Sequence, residues 1–274
     1  MTTAAPNYAI RCSPVEVEVW ATRSLSFDPK DWRRDLRSDL LLTLGRLSRA
    51  AAGLAVDFWD RDRRVLDLEN AVMYNVGLAP FTRFLPVGLS MQRLGSPFLS
   101  EASLPAGEVA AQYRYVVTEP GSLERELLPS EALTLSFVAA RPVTVRQVWR
   151  AARAQVTASD YQPDWTGRRL ALRVEAPTGM SAGGLKPLLD GIVSALHVAT
   201  DDMTLGVLAD WSADSAELTL MTSGPAPLGL RPLITMAGRR PSWNPADHVL
   251  DQIMVRGSQT SGRCSVVIYP LPEA

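Results

Sequence analysis

Between Ser181 and Asp202, Leu185, Leu188, Leu189, Ile192, Val193 and Leu196 recur at helical spacing. A segment with that period cannot lie as a strand, so it forms an amphipathic helix with one face on a core. Lys186, Asp190 and His197 follow the same period and share a stripe beside the apolar face. A glycine pair, Gly183 and Gly184, precedes the helix, and an acidic pair, Asp201 and Asp202, follows it.

Around this helix the chain alternates between strand and helix patterns. In the first half Val15–Trp20 alternates as a strand. Asp28-Pro29 then reads as a helix start, with a side-chain cap and a proline whose missing N–H costs nothing there. Trp32, Leu36, Leu40, Leu44 and Leu47 mark that helix's apolar stripe, and Gly53 is its expected stop. Leu54–Phe58 and Gln112–Thr118 read as strands, with loops and short elements between Gly77 and Gly107. In the second half Leu133–Ala139 and Leu170–Val174 read as strands around a helix that Thr144 caps. Ala216–Met221, Gln252–Val255 and Arg263–Tyr269 complete the expected strands. The order predicts an α/β protein of two similar lobes, residues 1–120 and 130–274, joined near Glu119–Pro129 and related by internal duplication.

Composition narrows the function classes. At 274 residues, with 46% apolar and 21% charged residues, the chain can bury a full core. A formal charge of −1 argues against a protein that coats nucleic acid by bulk electrostatics. Two cysteines and two histidines exclude a disulfide framework and a histidine-rich zinc centre. The first ten residues lack the pattern of a secretion signal, so a cytoplasmic location is expected. Only Lys30 and Lys186 of the 28 basic residues are lysines, an arginine bias expected of a GC-rich bacterial genome. Arg168-Arg169 and Arg239-Arg240 are candidate phosphate contacts, with Asp190 and His197 as further binding candidates.

The helix at Lys186 resembles that of the RusA-type Holliday junction resolvases. In that family an Asp-x-Asp-Asn turn leads into a helix written Lys-x-x-x-Asp, and an Asp-Asp pair follows; here Lys186, Asp190 and Asp201-Asp202 fall at that spacing. The resemblance implies a small dimeric α/β fold, carboxylates that bind Mg²⁺, and a lysine that assists phosphodiester cleavage of branched DNA. At the leading acidic positions, however, stand Met180 and Ala182, and Gly183 replaces the asparagine. Methionine and alanine supply no hard oxygen, so this turn does not hold Mg²⁺.

Asp67-Leu68-Glu69-Asn70 in the first half is similar to the missing turn, with Met73 where the lysine would stand. Asp247, just before the strand at Leu250, competes with Asp201 as the third carboxylate, residues 203–242 then being an insertion. Two readings follow. The first is a catalytically degenerate pseudo-dimer that binds a protein or nucleic-acid partner and needs no cofactor. The alternative is a Mg²⁺-dependent, structure-selective endonuclease with Lys186 and Asp201 catalytic and Asp67, Glu69, Asp201 and Asp247 as ligands.

Overall fold

The computed structural model describes residues 7–48, 52–62, 66–98, 108–119, 129–139, 141–199, 206, 215–237, 240–258 and 262–272. It is mixed α/β, and the chain divides into two compact units, residues 1–127 with 250–257 and residues 128–249 with 258–274.

The first unit is a sheet of β1 (Tyr8–Cys12), β2 (Glu16–Ala21), β3 (Gly53–Asp60), β4 (Leu89–Arg93), β5 (Ala111–Thr118) and β12 (Leu250–Gly257). Their order is β1-β2-β5-β3-β4-β12. β5 runs antiparallel to both β2 and β3, so those two strands are parallel to each other with β5 between them. Helix α1 (Arg33–Gly45) connects them, burying Leu36, Leu40 and Leu44 as their spacing requires. Its start lies later than the Asp28-Pro29 expected from sequence. Asp28 is exposed near Lys30, whereas Asp31 accepts the Arg33 backbone N–H at 3.1 Å and so fixes the first turn. Gly45 ends the helix, well before Gly53, which opens β3.

Among the described residues, β3 and β4 form the one parallel pair of adjacent strands in this sheet. Between them Asn70–Tyr74 makes a wide helical turn, with Asn75 N–H donating to the Asn70 carbonyl at 2.9 Å. Two buried tyrosines on β5 brace the surrounding loops. Tyr115 donates to the Val72 carbonyl at 3.0 Å, and Tyr113 accepts from the Leu25 N–H at 2.8 Å. Burial pushes both phenols above their ordinary range, so each remains protonated.

The second unit has β6 (Leu133–Val138), α2 (Val145–Ala158), β7 (Leu170–Ala176), α3 (Ala182–Ser194) and β13 (Arg263–Pro270). β13 lies between β6 and β7 and is antiparallel to both. Thr144 caps α2 by accepting the Gln147 N–H, as its sequence position indicates. Helices α2 and α3 pack closely at Gly191, where a Cβ would stand 2.6 Å from Val148 Cβ and 2.9 Å from the Val145 carbonyl.

Two short parallel strands, β8 (Val198–Ala199) and β9 (Leu230–Arg231), and a hairpin, β10 (Ile234–Ala237) with β11 (Arg240–Trp243), complete the unit. Trp165 is buried, and Trp243 packs on Trp149 with ring centroids 5.6 Å apart.

One expected strand is a helix. Residues Ser215–Thr222 form α4, whose buried Glu217 and Met221 are one turn apart. Alanine, glutamate, leucine and methionine all favour helix, and tertiary contacts decide the matter. The Glu217 carboxylate meets Arg146 at 2.6 Å and Arg150 at 3.2 Å, both on α2.

Arg153 on α2 is fully buried, and its guanidinium donates to the carbonyls of Leu220 (2.9 Å), Ser223 (2.7 Å), Ala195 (3.1 Å) and Pro225. These oxygens lie at and just beyond the C-terminal ends of α3 and α4, where helix carbonyls lack partners and the dipole favours a cation. Burial lowers its pKa to about 10, so it stays charged at neutral pH. Replacing Arg153 with Met is expected to cost about 3–5 kcal/mol, because four carbonyls around a buried guanidinium lose their donor. Chemical denaturation checks this, and a loss below about 1 kcal/mol would contradict it.

Candidate functional site

Each unit carries one part of the expected constellation. In the first, the acidic turn stands seven residues beyond the end of β3. The Asp67 carbonyl accepts the Ala71 N–H at 3.0 Å, which starts the helical turn here. Asn70 Nδ2 donates to Asp67 Oδ2 at 2.5 Å, leaving the carboxylate half-buried, and Glu69 is fully buried. Leu68, Val72 and Met73 are buried and anchor this stretch in the core.

Arg93, on β4, fixes the approach to the turn. Its Nη2 donates to the Leu66 carbonyl and its Nε to Asp251 Oδ1 at 3.1 Å, while the guanidinium lies 5.5 Å from the Phe58 ring centroid. Sequence reading missed this arginine. It sits in a stretch rich in Pro and Gly, and Asp251 is 158 residues away.

In the second unit, α3 begins at Ala182, three residues earlier than the apolar period alone indicates, with Ser181 as N-cap. Met180, Ser181, Ala182 and Gly183 thus occupy a helix start after β7, as Asp67 to Asn70 occupy one after β3. Lys186 and Asp190 form the expected pair at 3.1 Å. The same ammonium also lies 3.2 Å from Asp247 Oδ2.

Asp247 is 4% exposed on a single 3₁₀ turn, Asp247–Val249. Arg169 donates to the His248 carbonyl at 2.7 Å and so pins that turn. The structure therefore brings Asp247 to Lys186, which spacing alone left open between Asp247 and Asp201. Asp201, with Asp202, lies outside the described residues.

The remaining candidates are dispersed. Arg168 donates to the Leu271 carbonyl at 3.3 Å. Arg239 lies outside the described residues, and Arg240 opens β11. His197 leaves the stripe of Lys186 and Asp190, because α3 ends at Ser194.

The imidazole of His197 is 3% exposed, with Nδ1 3.2 Å from the Gly229 carbonyl, so Nδ1 carries the proton and donates. Burial lowers its pKa to about 4 against the hydrogen bond to Gly229, and the charges of Arg231, His248 and Arg153 push the same way as burial. A neutral buried histidine is a structural group here.

His197 fixes a pH dependence of stability. The unfolded chain takes up the proton near pH 6.5, whereas the folded chain resists it to about pH 4. The stabilisation is complete above 6.5 and falls as pH drops from 6.5 towards 4, by about 3 kcal/mol in all. Denaturation midpoints of wild type and His197→Gln across pH 8 to 4 test this. The wild type is expected to lose more stability than the variant through that window, and parallel curves would contradict it.

Among the described residues no helix is long and apolar enough to cross a membrane. No family model, curated protein or solved structure matches this chain.

Proposed function

We propose that this protein is a divalent-metal-dependent endonuclease of RusA-like descent acting on branched DNA. The observation that carries the reading is the ion pair of Lys186 with Asp247. It gives the lysine a buried aspartate from a distant turn, so the second unit keeps a lysine and a third carboxylate. The first unit keeps the two leading carboxylates and the asparagine, at Asp67, Glu69 and Asn70. Each unit lacks what the other retains.

The topology supports duplication. In one unit a helix joins two parallel strands, β2 and β3, and a later strand enters antiparallel between them. In the other, β6, α2, β7 and β13 repeat that order. In both, the acidic turn or its counterpart opens the next helical segment.

In the first unit Asp67 and Glu69 offer only hard oxygens, the donor chemistry that suits Mg²⁺. When bound, such an ion lowers the pKa of a coordinated water and stabilises charge on a phosphodiester. The residues themselves do the rest. Lys186 supplies a fixed positive charge for the phosphate, Asp190 and Asp247 orient it, and Arg93 holds the backbone that presents Asp67.

The second reading is a protein that binds a nucleic-acid or protein partner without cleaving. It is favoured by Met180 and Ala182 at the head of α3, where no carboxylate stands beside Lys186's own helix start.

Labelled four-way junction, flap and duplex DNA incubated with Mg²⁺ or Mn²⁺ separate the two. Cleavage of the branched substrates is expected, falling at least about 100-fold in Asp67→Asn, Asp247→Asn and Lys186→Met. Retarded but uncut DNA would overturn the catalytic reading in favour of the binding one.

A further inference from the structure

We propose that Phe27 is a stacking residue whose ring takes up an unpaired base at the branch point of DNA bound at the acidic turn. The proposal rests on the reading that this protein engages branched DNA, and it concerns recognition rather than cleavage.

The geometry lies within the first unit. Phe27 is 77% exposed, more than any other large apolar residue among those described. A lone exposed apolar side chain is ordinary, and what sets this one apart is that its loop is fixed. Leu25, two residues earlier, is buried. Its N–H donates to Tyr113 at 2.8 Å, and its carbonyl accepts from Asn75 Nδ2 at 3.0 Å. Arg37 of α1 donates from Nη1 to the Phe27 carbonyl at 3.4 Å. The backbone is therefore held while the ring faces solvent, which is how a rigid scaffold presents a contact residue on a loop.

The same hydrogen bonds tie Phe27 to the acidic turn. Asn75 closes the wide helical turn that follows Asp67 and Glu69, its N–H donating to the Asn70 carbonyl at 2.9 Å. Arg37 Nε donates to the Val76 carbonyl at 3.1 Å. One guanidinium thus bridges the end of that turn and the backbone of Phe27. An exposed aromatic ring is fixed to the segment that carries the first unit's carboxylates.

The occupant follows from the size and chemistry of this surface. Trp32, at the head of α1, is already stacked on Tyr8 with ring centroids 6.0 Å apart, whereas Phe27 makes no ring contact among the described residues. Its neighbours Ser26 and Asp28 are polar, so the apolar surface of this loop is one ring. That matches one base and falls far short of the roughly 800 Å² a side that a stable protein interface buries. Bases within an intact duplex are stacked on each other, so a ring meets a free base face only where pairing is broken, as at a branch.

The test is fluorescence anisotropy in EDTA, where metal-dependent cleavage is absent, with a labelled four-way junction and a duplex of the same arm sequence. Wild type is compared with Phe27→Ala, Phe27→Leu and Phe27→Trp across a salt series. The side chain is exposed, so the substitutions leave the core untouched. Phe27→Ala is expected to bind the junction about tenfold more weakly and the duplex within about twofold of wild type, because the lost interaction is base stacking. The slope of log affinity against log salt should not change, since no phosphate contact is removed. Phe27→Trp is expected to retain junction binding, and Phe27→Leu to lose it as alanine does.

Unchanged junction binding by Phe27→Ala would overturn the proposal. So would an equal loss on junction and duplex, or full binding by Phe27→Leu, since an apolar contact without stacking gives that. No binding of either DNA by the wild type overturns both the proposal and its premise. Junction binding that depends on the ring, with no cleavage in Mg²⁺, leaves the proposal standing and removes only the catalytic reading.

Discussion

The second unit depends on a buried cation surrounded by carbonyls. Arg153 reaches the oxygens that end α3 and α4, and its charge offsets the unpaired dipole at both ends. With the C-terminal end of α3 held there and its middle pressed against α2 at Gly191, the helix has little freedom to rotate or slide. Lys186 and Asp190 therefore face one direction, and the turn carrying Asp247 closes on them. The ion pairs at Lys186 are a consequence of that packing rather than its cause.

The first unit solves the same problem differently. Its acidic turn is too short to hold itself in place as a helix. Tyr115 fixes it from the strand behind, Arg93 fixes the backbone before it, and buried Leu68, Val72 and Met73 fill the space beneath. Glu69 in the same turn is fully buried.

Much of the fold was legible in the sequence because the relevant information is local. Alternation marked β2, β3 and β7, an apolar run marked β13, the cap at Thr144 marked α2, and the apolar period marked α1 and α3. The failures came where contacts distant in sequence decide. α4 carries an alternating pattern, but Glu217 is drawn in by Arg146 and Arg150 of another helix. α1 starts at Arg33, whose backbone N–H donates to the Asp31 carboxylate, while Asp28 faces solvent. For the site, the i,i+4 pair of Lys186 and Asp190 could be read from spacing. Its link to Asp247, 61 residues away, could not, nor could the tie from Arg93 to Asp251. His197 shares the helical period of Lys186 in the sequence, yet α3 ends before it and the side chain turns into the core.

The measurement that bears most directly on a retained metal set is a Mn²⁺ titration of the whole protein, followed by electron paramagnetic resonance. Retention predicts saturable binding near one ion per chain that is lost in Asp67→Asn. Mn²⁺ uptake that never saturates, or that this variant leaves unchanged, would contradict it.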